Sequence, residues 1–248
     1  MDPTAQPARG AATAAAPAPA PGARSPARRS FAEMLDACAE QIRPYPPAAM
    51  FGLAARGYAS LYEQLVSCIL SIRTYDEVSF PASEALFARA RTPREMLALD
   101  RETLARIIEK CTYPGQKAET ILGLSARIAD EYDGETPDDF AALTDFRGVG
   151  PKCANLALGV ALGRPAISVD VHVHRVVNRW GVVDTKDPKK TLAALEAIVP
   201  RERWVDVNRI LMPFGKNHCL RAAPRCATCL VRADCAYGRA RSAENRAG

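Results

Sequence analysis

The sequence contains no long apolar run. It has no stretch of about 18 consecutive apolar residues, and a helix needs such a stretch to cross a bilayer. The N-terminus also lacks the continuous apolar segment of a secretory signal. A chain of 248 residues can bury one large core or two smaller ones without disulfide support. We therefore expect a soluble intracellular monomer that does not bind a membrane.

Acidic residues are scarce at both ends of the chain. Residues 1–30 are rich in Ala and Pro and carry four arginines against one acid, and residues 239–248 carry three arginines against one acid. These ends hold the whole formal charge of +5, so residues 31–238 are formally neutral. The first segment is predicted to be a disordered tail, with an organelle transit peptide as the alternative. The second is predicted to be a basic C-terminal tail.

One internal segment is basic without interruption. No acid lies between its five basic residues, which are Arg209, Lys216, Arg221, Arg225 and Arg232. Such a concentration of charge can neutralise phosphates. A solvated basic surface is the alternative, and the segment alone does not decide between them.

From residue 31 onward the apolar residues recur at helical spacing. One face of a predicted helix would hold Leu61, Leu65, Cys68, Ile69 and Ile72. Thr92-Pro93-Arg94-Glu95 combines an N-cap, a first-turn proline and a capping-box glutamate. Thr136-Pro137 and Asp187-Pro188 repeat the cap and proline pattern. The sequence thus predicts an all-α protein of short helices.

One segment carries two competing patterns. Residues 167–174 alternate apolar and polar side chains, which alone predicts a strand. Val173, Val176, Val177 and Trp180 then keep helical spacing, and the rest of the sequence offers no convincing partner strand. We therefore predict a helix with Asp170 as its N-cap.

The segment Gly148-Val149-Gly150-Pro151-Lys152 precedes a helix that is apolar nearly all round. A Gly-x-Gly turn allows positive φ and leaves N–H groups at a helix start, where they suit a phosphate. A tight helix connection is the alternative. Lys152 falls in the first helical turn, where the helix dipole and burial would favour a neutral, nucleophilic amine. A phosphate-binding lysine would have the same spacing.

Asp170 follows Lys152 by 18 residues, which is enough for a helix and a short loop to return the chain beside it. A carboxylate at that place could accept the lysine's proton and offset positive charge that develops on a sugar. The same residue also suits a helix cap, and both roles can coexist.

The cysteines fall into two groups. Cys38, Cys68, Cys111 and Cys153 stand apart in apolar surroundings and are expected to be small core residues. The other four, Cys219, Cys226, Cys229 and Cys235, lie within 17 residues with the spacing C-x6-C-x2-C-x5-C. This spacing predicts metal ligation, with zinc and an iron–sulfur cluster equally compatible. Arg221 and Arg225 lie in the first gap, on a loop that could grip DNA.

GVGPKCAN at 148–155, SVDVHVHRV at 168–176 and the four-cysteine spacing together resemble the endonuclease III branch of the helix–hairpin–helix DNA glycosylases. The resemblance covers residues 31–238. It implies an all-helical fold in which a six-helix barrel-like domain, 54–164, faces an iron–sulfur cluster domain, 31–53 and 165–238. DNA would bind in the cleft between the two domains.

The same resemblance implies the roles of individual residues. Lys152 and Asp170 match the catalytic lysine and aspartate, Gly148, Val149 and Gly150 match the phosphate-binding hairpin, and the four cysteines match the ligands of a 4Fe–4S cluster. The implied enzyme is a DNA glycosylase and AP lyase of base excision repair. It would remove oxidised pyrimidines from double-stranded DNA through a lysine Schiff base and cleave 3′ to the abasic site.

Several positions depart from the family's pattern. Arg73 stands where the family usually has the glutamine that fills the gap left by the flipped base, and Tyr113 stands at the leucine wedge position. His172, beside Asp170, is a DNA contact or an ordinary helix-face histidine. These changes motivate an alternative, a lesion-binding paralogue with weak or no glycosylase activity. An electron-transfer protein would leave the hairpin unexplained, and the related adenine glycosylases resemble this chain without the lysine.

The resemblance also gives an expected location. We expect a cytoplasmic, nucleoid-associated bacterial protein, or an organellar protein if residues 1–30 are a transit peptide.

Overall fold

The computed structural model describes residues 28–247 of the chain, and side chains as far as residue 242. Within that range the chain forms thirteen α-helices and two short 3₁₀ turns, with no strand. The helices are Phe31–Ile42 (α1), Ala49–Ala55 (α2), Leu61–Ser71 (α3), Asp76–Phe87 (α4), Pro93–Leu97 (α5), Arg101–Ile107 (α6), Pro114–Glu131 (α7), Phe140–Asp145 (α8), Pro151–Leu162 (α9), Val171–Trp180 (α10), Pro188–Ile198 (α11), Trp204–Asn217 (α12) and Ala236–Ala247 (α13). The 3₁₀ turns are Arg201–Arg203 and Cys226–Thr228. The predicted all-α class is confirmed.

Helix starts follow the local sequence in most places. The side chain of Thr92 caps α5 and forms a capping box with Glu95, and Asp187 caps α11 ahead of Pro188. The start predicted at Thr136-Pro137 is wrong. α8 begins at Phe140 instead, because the side chain of Asp139 accepts a hydrogen bond from the N–H of Ala142 and so caps the helix there.

The predicted apolar face of α3 is confirmed except at its end. Leu61, Leu65, Cys68 and Ile69 are buried, but Ile72 is 42% exposed. The helix ends at Ser71, so Ile72 turns outward with the loop that follows.

Two hydrophobic cores organise the chain. The first is built mainly from α3 to α9, and the second from α1, α10, α12 and the segment around Val231 and Cys235. Met50 of α2 belongs to the first core, although the predicted boundary placed residues 31–53 with the second. The domain boundaries otherwise stay a prediction.

Both predicted tails meet the folded part of the chain. Residues 1–27 lie outside the described residues, but Arg29 donates a hydrogen bond to the carbonyl of Leu230 and Ser30 caps α1. At the other end, residues 239–247 continue α13 and do not form a separate tail. The Arg232 guanidinium donates to Ser242 Oγ at 3.0 Å, which fastens this helix to the segment before it.

Two of the four cysteines expected to stand apart are paired. Cys68 of α3 and Cys153 of α9 form a disulfide, with their Cα atoms 5.8 Å apart. Both are buried, as are Cys38 and Cys111. The close packing of α3 on α9 brings the pair together, a non-local contact that residue spacing does not reveal. Among the described helices, none is long and apolar enough to cross a membrane.

Candidate active site

A cleft of about 410 Å³ lies between the two cores. The first core contributes the ends of α3 and α9, and the second contributes α10, α12 and the segment that leads into α10. Its polar lining includes Ser71, Thr74, Tyr75, Lys152, Asp170 and His172. Lys152 and Asp170, predicted from separate motifs, therefore face one cavity.

Lys152 occupies the second position of α9. Gly150 is the N-cap and Pro151 the first helical residue, so the chain starts the helix as the sequence predicts. Lys152 itself is exposed, and the expectation that burial favours its neutral form is not met. Lys152 does lie at the positive end of the α9 helix dipole, as the sequence predicts.

The hairpin before α9 uses its two glycines differently. Gly148 has φ +87°, the left-handed region that favours glycine, but Gly150 is extended with φ −94° and ψ 175°. Val149 between them is buried, so its backbone alone can meet a partner. Because Gly150 has no side chain to cap the helix, the first N–H groups of α9 suit an anion such as phosphate.

Asp170 caps α10 as predicted. Its Oδ1 accepts hydrogen bonds from the N–H groups of His172 at 2.9 Å and Val173 at 2.8 Å. Oδ2 accepts no hydrogen bond from any described residue. One oxygen thus fixes the helix start, and the other is available to a ligand in the cleft.

The segment that carries Asp170 is tied to both sides of the cleft. Ser168 donates to the carbonyl of Lys152 at 3.3 Å, and Asn155 of α9 donates to the carbonyl of Ile167 at 3.0 Å. From α12, Asn208 donates to the carbonyl of Ser168 at 3.3 Å. These bonds hold Asp170 beside the start of α9.

His172 is partly buried in the cleft. Arg175 Nη2 lies 3.1 Å from its Nδ1 and also donates to the carbonyl of Gly215 at 2.8 Å. Burial lowers the pKa of His172, with Arg175 adding to the effect and Asp170 opposing it. The imidazole is therefore biased toward its neutral form at pH 7, as a hydrogen-bonding group.

Arg73 and Tyr113 stand on neighbouring loops, and the backbone of each residue is in the left-handed region. Their φ angles are +53° and +56°, which is rare for residues other than glycine. Thr112 joins the loops: its hydroxyl donates to the carbonyl of Arg73 at 2.8 Å and its N–H to Thr74 Oγ1 at 3.1 Å. Both side chains are exposed, Tyr113 by 56%.

A buried lysine completes this connection. Lys117 Nζ donates to Thr74 Oγ1 at 2.7 Å and to the carbonyl of Leu70 at 2.6 Å. Burial lowers the pKa of Lys117. Lys117 and Thr74 are not predicted from the sequence, and neither are Asn155 and Asn208, because their partners are distant in the chain.

The four clustered cysteines line one small cavity at the far end of α10. Burial raises the pKa of Cys229 to about 11, and the other three thiols add to the rise. Arg179 Nη1 lies 3.3 Å from Cys219 Sγ, and the N–H of Gly238 lies 3.4 Å from Cys235 Sγ. No three His, Cys, Asp or Glu side chains of the described part converge closely enough to hold a single metal ion.

Arg221 and Arg225, predicted DNA contacts, lie outside the cleft. Both are on the loop between Cys219 and Cys226, and neither lines the cavity that holds Lys152. The carbonyl of Arg221 accepts a hydrogen bond from Arg179 at 2.7 Å, which fastens this loop to α10.

The described residues are helical throughout, and they bring a glycine hairpin, a lysine at a helix start and a capping aspartate to one cleft. These features are those of helix–hairpin–helix DNA repair proteins. The comparisons agree with this class. Residues 66–201 match the family described as HhH-GPD superfamily base excision DNA repair protein, and the chain belongs to that family.

Relatives of known name come from bacteria and animals. The chain is 37% identical over 180 residues to endonuclease III of Thermotoga maritima, covering 73% of this chain and 84% of that protein. It is 41% identical over 181 residues to endonuclease III-like protein 1 of Bos taurus, covering 72% of this chain but 59% of the longer bovine protein.

Two solved structures show the same fold with DNA. A non-covalent endonuclease III–DNA complex superposes with a TM-score of 0.75 at 30% identity, covering 86% of this chain and 97% of that one. A trapped endonuclease III–DNA covalent intermediate, an estranged-adenine complex, gives 0.73 at 29% identity with the same coverage. These structures place the chain within the endonuclease III branch of the family.

Proposed function

We propose that the protein is a bifunctional DNA glycosylase and AP lyase that removes oxidised pyrimidines from double-stranded DNA. The observation that carries this proposal is the placement of Lys152 and Asp170 in one cleft, each at the start of a helix. The uncapped N-terminus of α9 also makes this side of the cleft attractive to phosphates.

The chemistry begins when the damaged nucleotide leaves the duplex and enters the cleft. The Lys152 amine forms a bond to the anomeric carbon as the bond to the base breaks, and the base leaves with the electron pair and takes up a proton. The sugar ring opens to give a Schiff base. Loss of a proton from C2′ then expels the 3′ phosphate, and water releases the enzyme.

Asp170 supports two of these steps. Its free Oδ2 can accept a proton from the lysine ammonium before attack, and its charge offsets the positive charge on the sugar as the base leaves. Oδ1 stays engaged with the N–H groups of α10, so the carboxylate keeps its orientation.

Borohydride trapping tests the proposal. The wild-type protein should form a covalent complex with an abasic-site duplex, and Lys152→Ala should abolish it. Lys189→Ala is a matched control, because Lys189 also follows an N-terminal proline at the second position of its helix but does not line the cleft. Wild-type protein that is never trapped, or trapping that survives Lys152→Ala, contradicts the proposal.

A lesion-binding paralogue is the second candidate, and Arg73 and Tyr113 favour it because they change the positions that probe DNA. Such a protein would bind lesion duplexes selectively and give no trapped complex. The same trapping experiment, paired with a binding measurement, therefore separates the two functions.

We further propose that Cys219, Cys226, Cys229 and Cys235 hold a 4Fe–4S cluster. The four thiols line one small cavity, and their C-x6-C-x2-C-x5-C spacing suits the corners of an iron–sulfur cube, with one thiolate for each iron atom. The N–H donors near Cys219 and Cys235 would stabilise thiolate charge. The cluster takes no part in the lysine chemistry, and its ligands hold the Arg221 loop.

The cluster has its own test. The purified protein should be brown, absorb near roughly 400 nm and contain iron and sulfide. Cys226→Ala should lose the absorbance and the iron, and Cys111→Ala, at a buried cysteine of the other core, should retain both. A colourless protein with stoichiometric zinc contradicts the assignment.

Both walls of the cleft come from one chain, so a monomer suffices for this activity. We propose a monomer that acts on nucleoid DNA in the cytoplasm. Sedimentation of the free protein and of its DNA complex tests the oligomeric state.

A further inference from the structure

Asp170 is carried by a segment that has no regular structure. Residues 163–170 connect the end of α9 to the start of α10 without forming a helix of their own. From residue 165 to residue 169, no backbone group makes a backbone–backbone hydrogen bond with any described residue. The position of this segment, and therefore of Asp170, depends on packing and on hydrogen bonds from side chains.

The side chain of Asn155 joins this segment to α9. Asn155 lies one helical turn after Lys152 and is partly buried, and its Nδ2 donates to the carbonyl of Ile167 at 3.0 Å. The residues on either side of it, Ala154 and Leu156, belong to the first core, whereas Ile167 belongs to the second. This hydrogen bond therefore connects the helix of the lysine to the segment of the aspartate across the boundary between the cores.

Two further side-chain hydrogen bonds reach the same segment. Asn208 donates to the carbonyl of Ser168 at 3.3 Å, but Asn208 is on α12, whose apolar residues are in the second core. Ser168 Oγ donates to the carbonyl of Lys152 at 3.3 Å and does cross the boundary. An O–H···O bond usually measures about 2.5–3.0 Å, so this second connection is long. Asn155 makes the stronger of the two connections between the cores.

We propose that Asn155 is a positioning residue that keeps Asp170 Oδ2 within reach of the Lys152 amine. The inference rests on the proposed function, because it concerns the same cleft. Asp170 can take the lysine's proton and offset charge on the sugar only at short range, since proton transfer needs hydrogen-bond contact and charge interactions weaken with distance. A displacement of about 1 Å at such a site can cost roughly 10²-fold in rate.

Kinetics separate positioning from binding. Asn155→Ala should lower the single-turnover rate at saturating lesion duplex by about 10- to 100-fold. Its Kd for a duplex with a tetrahydrofuran abasic analogue should stay within about twofold of the wild type, because the hairpin is intact. Asn155→Leu, which has a similar shape but no donor, should slow the reaction to the same extent. A weaker Kd with an unchanged rate overturns the inference.

Asn217→Ala is the matched control. Asn217 is also partly buried and its Nδ2 also donates at 3.0 Å, but the acceptor is the carbonyl of Pro213 in its own helix, α12. This variant should lose comparable stability in thermal unfolding and keep the wild-type rate. If it slows the reaction as much as Asn155→Ala does, loss of stability explains both effects and the inference is overturned.

A double-mutant cycle shows whether Asn155 acts through Asp170. If it does, Asn155→Ala should slow the Asp170→Asn variant by less than about twofold, because the carboxylate that it would misplace is already gone. An equal loss of rate in both backgrounds contradicts the inference.

Hydrogen exchange of the DNA-free protein needs no catalysis. Peptides that contain the N–H groups of His172 and Val173, both bonded to Asp170, should exchange faster in Asn155→Ala and at the wild-type rate in Asn217→Ala. Unchanged exchange in Asn155→Ala overturns the inference. Failure of the proposed function looks different. In that case the wild-type protein forms no Schiff base, and exchange still shows whether Asn155 holds the segment.

Discussion

Two pairs of predicted site residues are held in place in different ways. Lys152 and Asp170 stand at helix starts, where a proline and a capping carboxylate set the backbone locally. Arg73 and Tyr113 each have a left-handed backbone conformation. They stand on loops that are held together by hydrogen bonds between segments far apart in sequence. The difference indicates that the backbone at Lys152 and at Asp170 is set locally, whereas the placement of these two residues beside each other and the two left-handed residues depend on tertiary contacts.

The largest expected effect comes from a substitution that removes the charge of Asp170 but still caps α10. Asp170→Asn retains a good N-cap, so stability should change little, but lesion processing should fall by about 10²- to 10⁴-fold. Asp170→Ala should lose both roles and about 0.5–2 kcal/mol of stability as well. Single-turnover rates and thermal unfolding measure the two effects. Near wild-type rates in Asp170→Asn would reduce this residue to a helix cap.

The hairpin offers a matched pair of glycines. A Cβ on Gly148 would lie 2.6 Å from Thr120 Cγ2 at a φ of +87°, but a Cβ on Gly150 would meet nothing within 4 Å. We expect Gly148→Ala to destabilise by about 1–3 kcal/mol and Gly150→Ala by less than about 1 kcal/mol. Denaturant unfolding compares the variants. Equal losses of unfolding free energy in the two variants would mean that the turn at Gly148 does not determine the start of α9.

The hydrogen bonds between the loop after α3 and the loop before α7 can be removed at Thr74. Thr74→Val removes the acceptor for Lys117 Nζ and for the N–H of Thr112, and should cost about 1–2 kcal/mol. Hydrogen exchange at Thr112 should accelerate. Thr144→Val is the control, because its hydroxyl donates only to carbonyls within α8. If both variants behave alike, the loops are held by something other than this connection.

The smallest expected effect is a pH dependence from His172. Burial lowers its folded-state pKa, so the unfolded chain takes up a proton first as the pH falls below about 6.5. The contribution of this group is therefore fully present above that pH and is lost as the pH falls toward the lower folded value. His172→Gln should flatten this part of the stability curve. An unchanged curve would show that the imidazole protonates equally in both states.

Local signals account for what can be predicted from the sequence. Helical spacing after Asp170 identifies this residue as a cap, and the structure agrees. The proline after Thr136 points to the wrong start, since a following proline is a weaker guide than a carboxylate that reaches the third N–H, as Asp139 does. Lys117 and Thr74 carry no such signal. Their roles arise only when the loops after α3 and before α7 meet, and no residue spacing records that contact.

In the proposed reaction one amine, on Lys152, becomes bonded to deoxyribose. Peptide mapping by mass spectrometry of the borohydride-reduced complex with an abasic-site duplex tests it directly. We expect the sugar adduct to lie on the peptide containing Lys152 and on that side chain. An adduct on Lys189 or any other amine, or none, contradicts the claim.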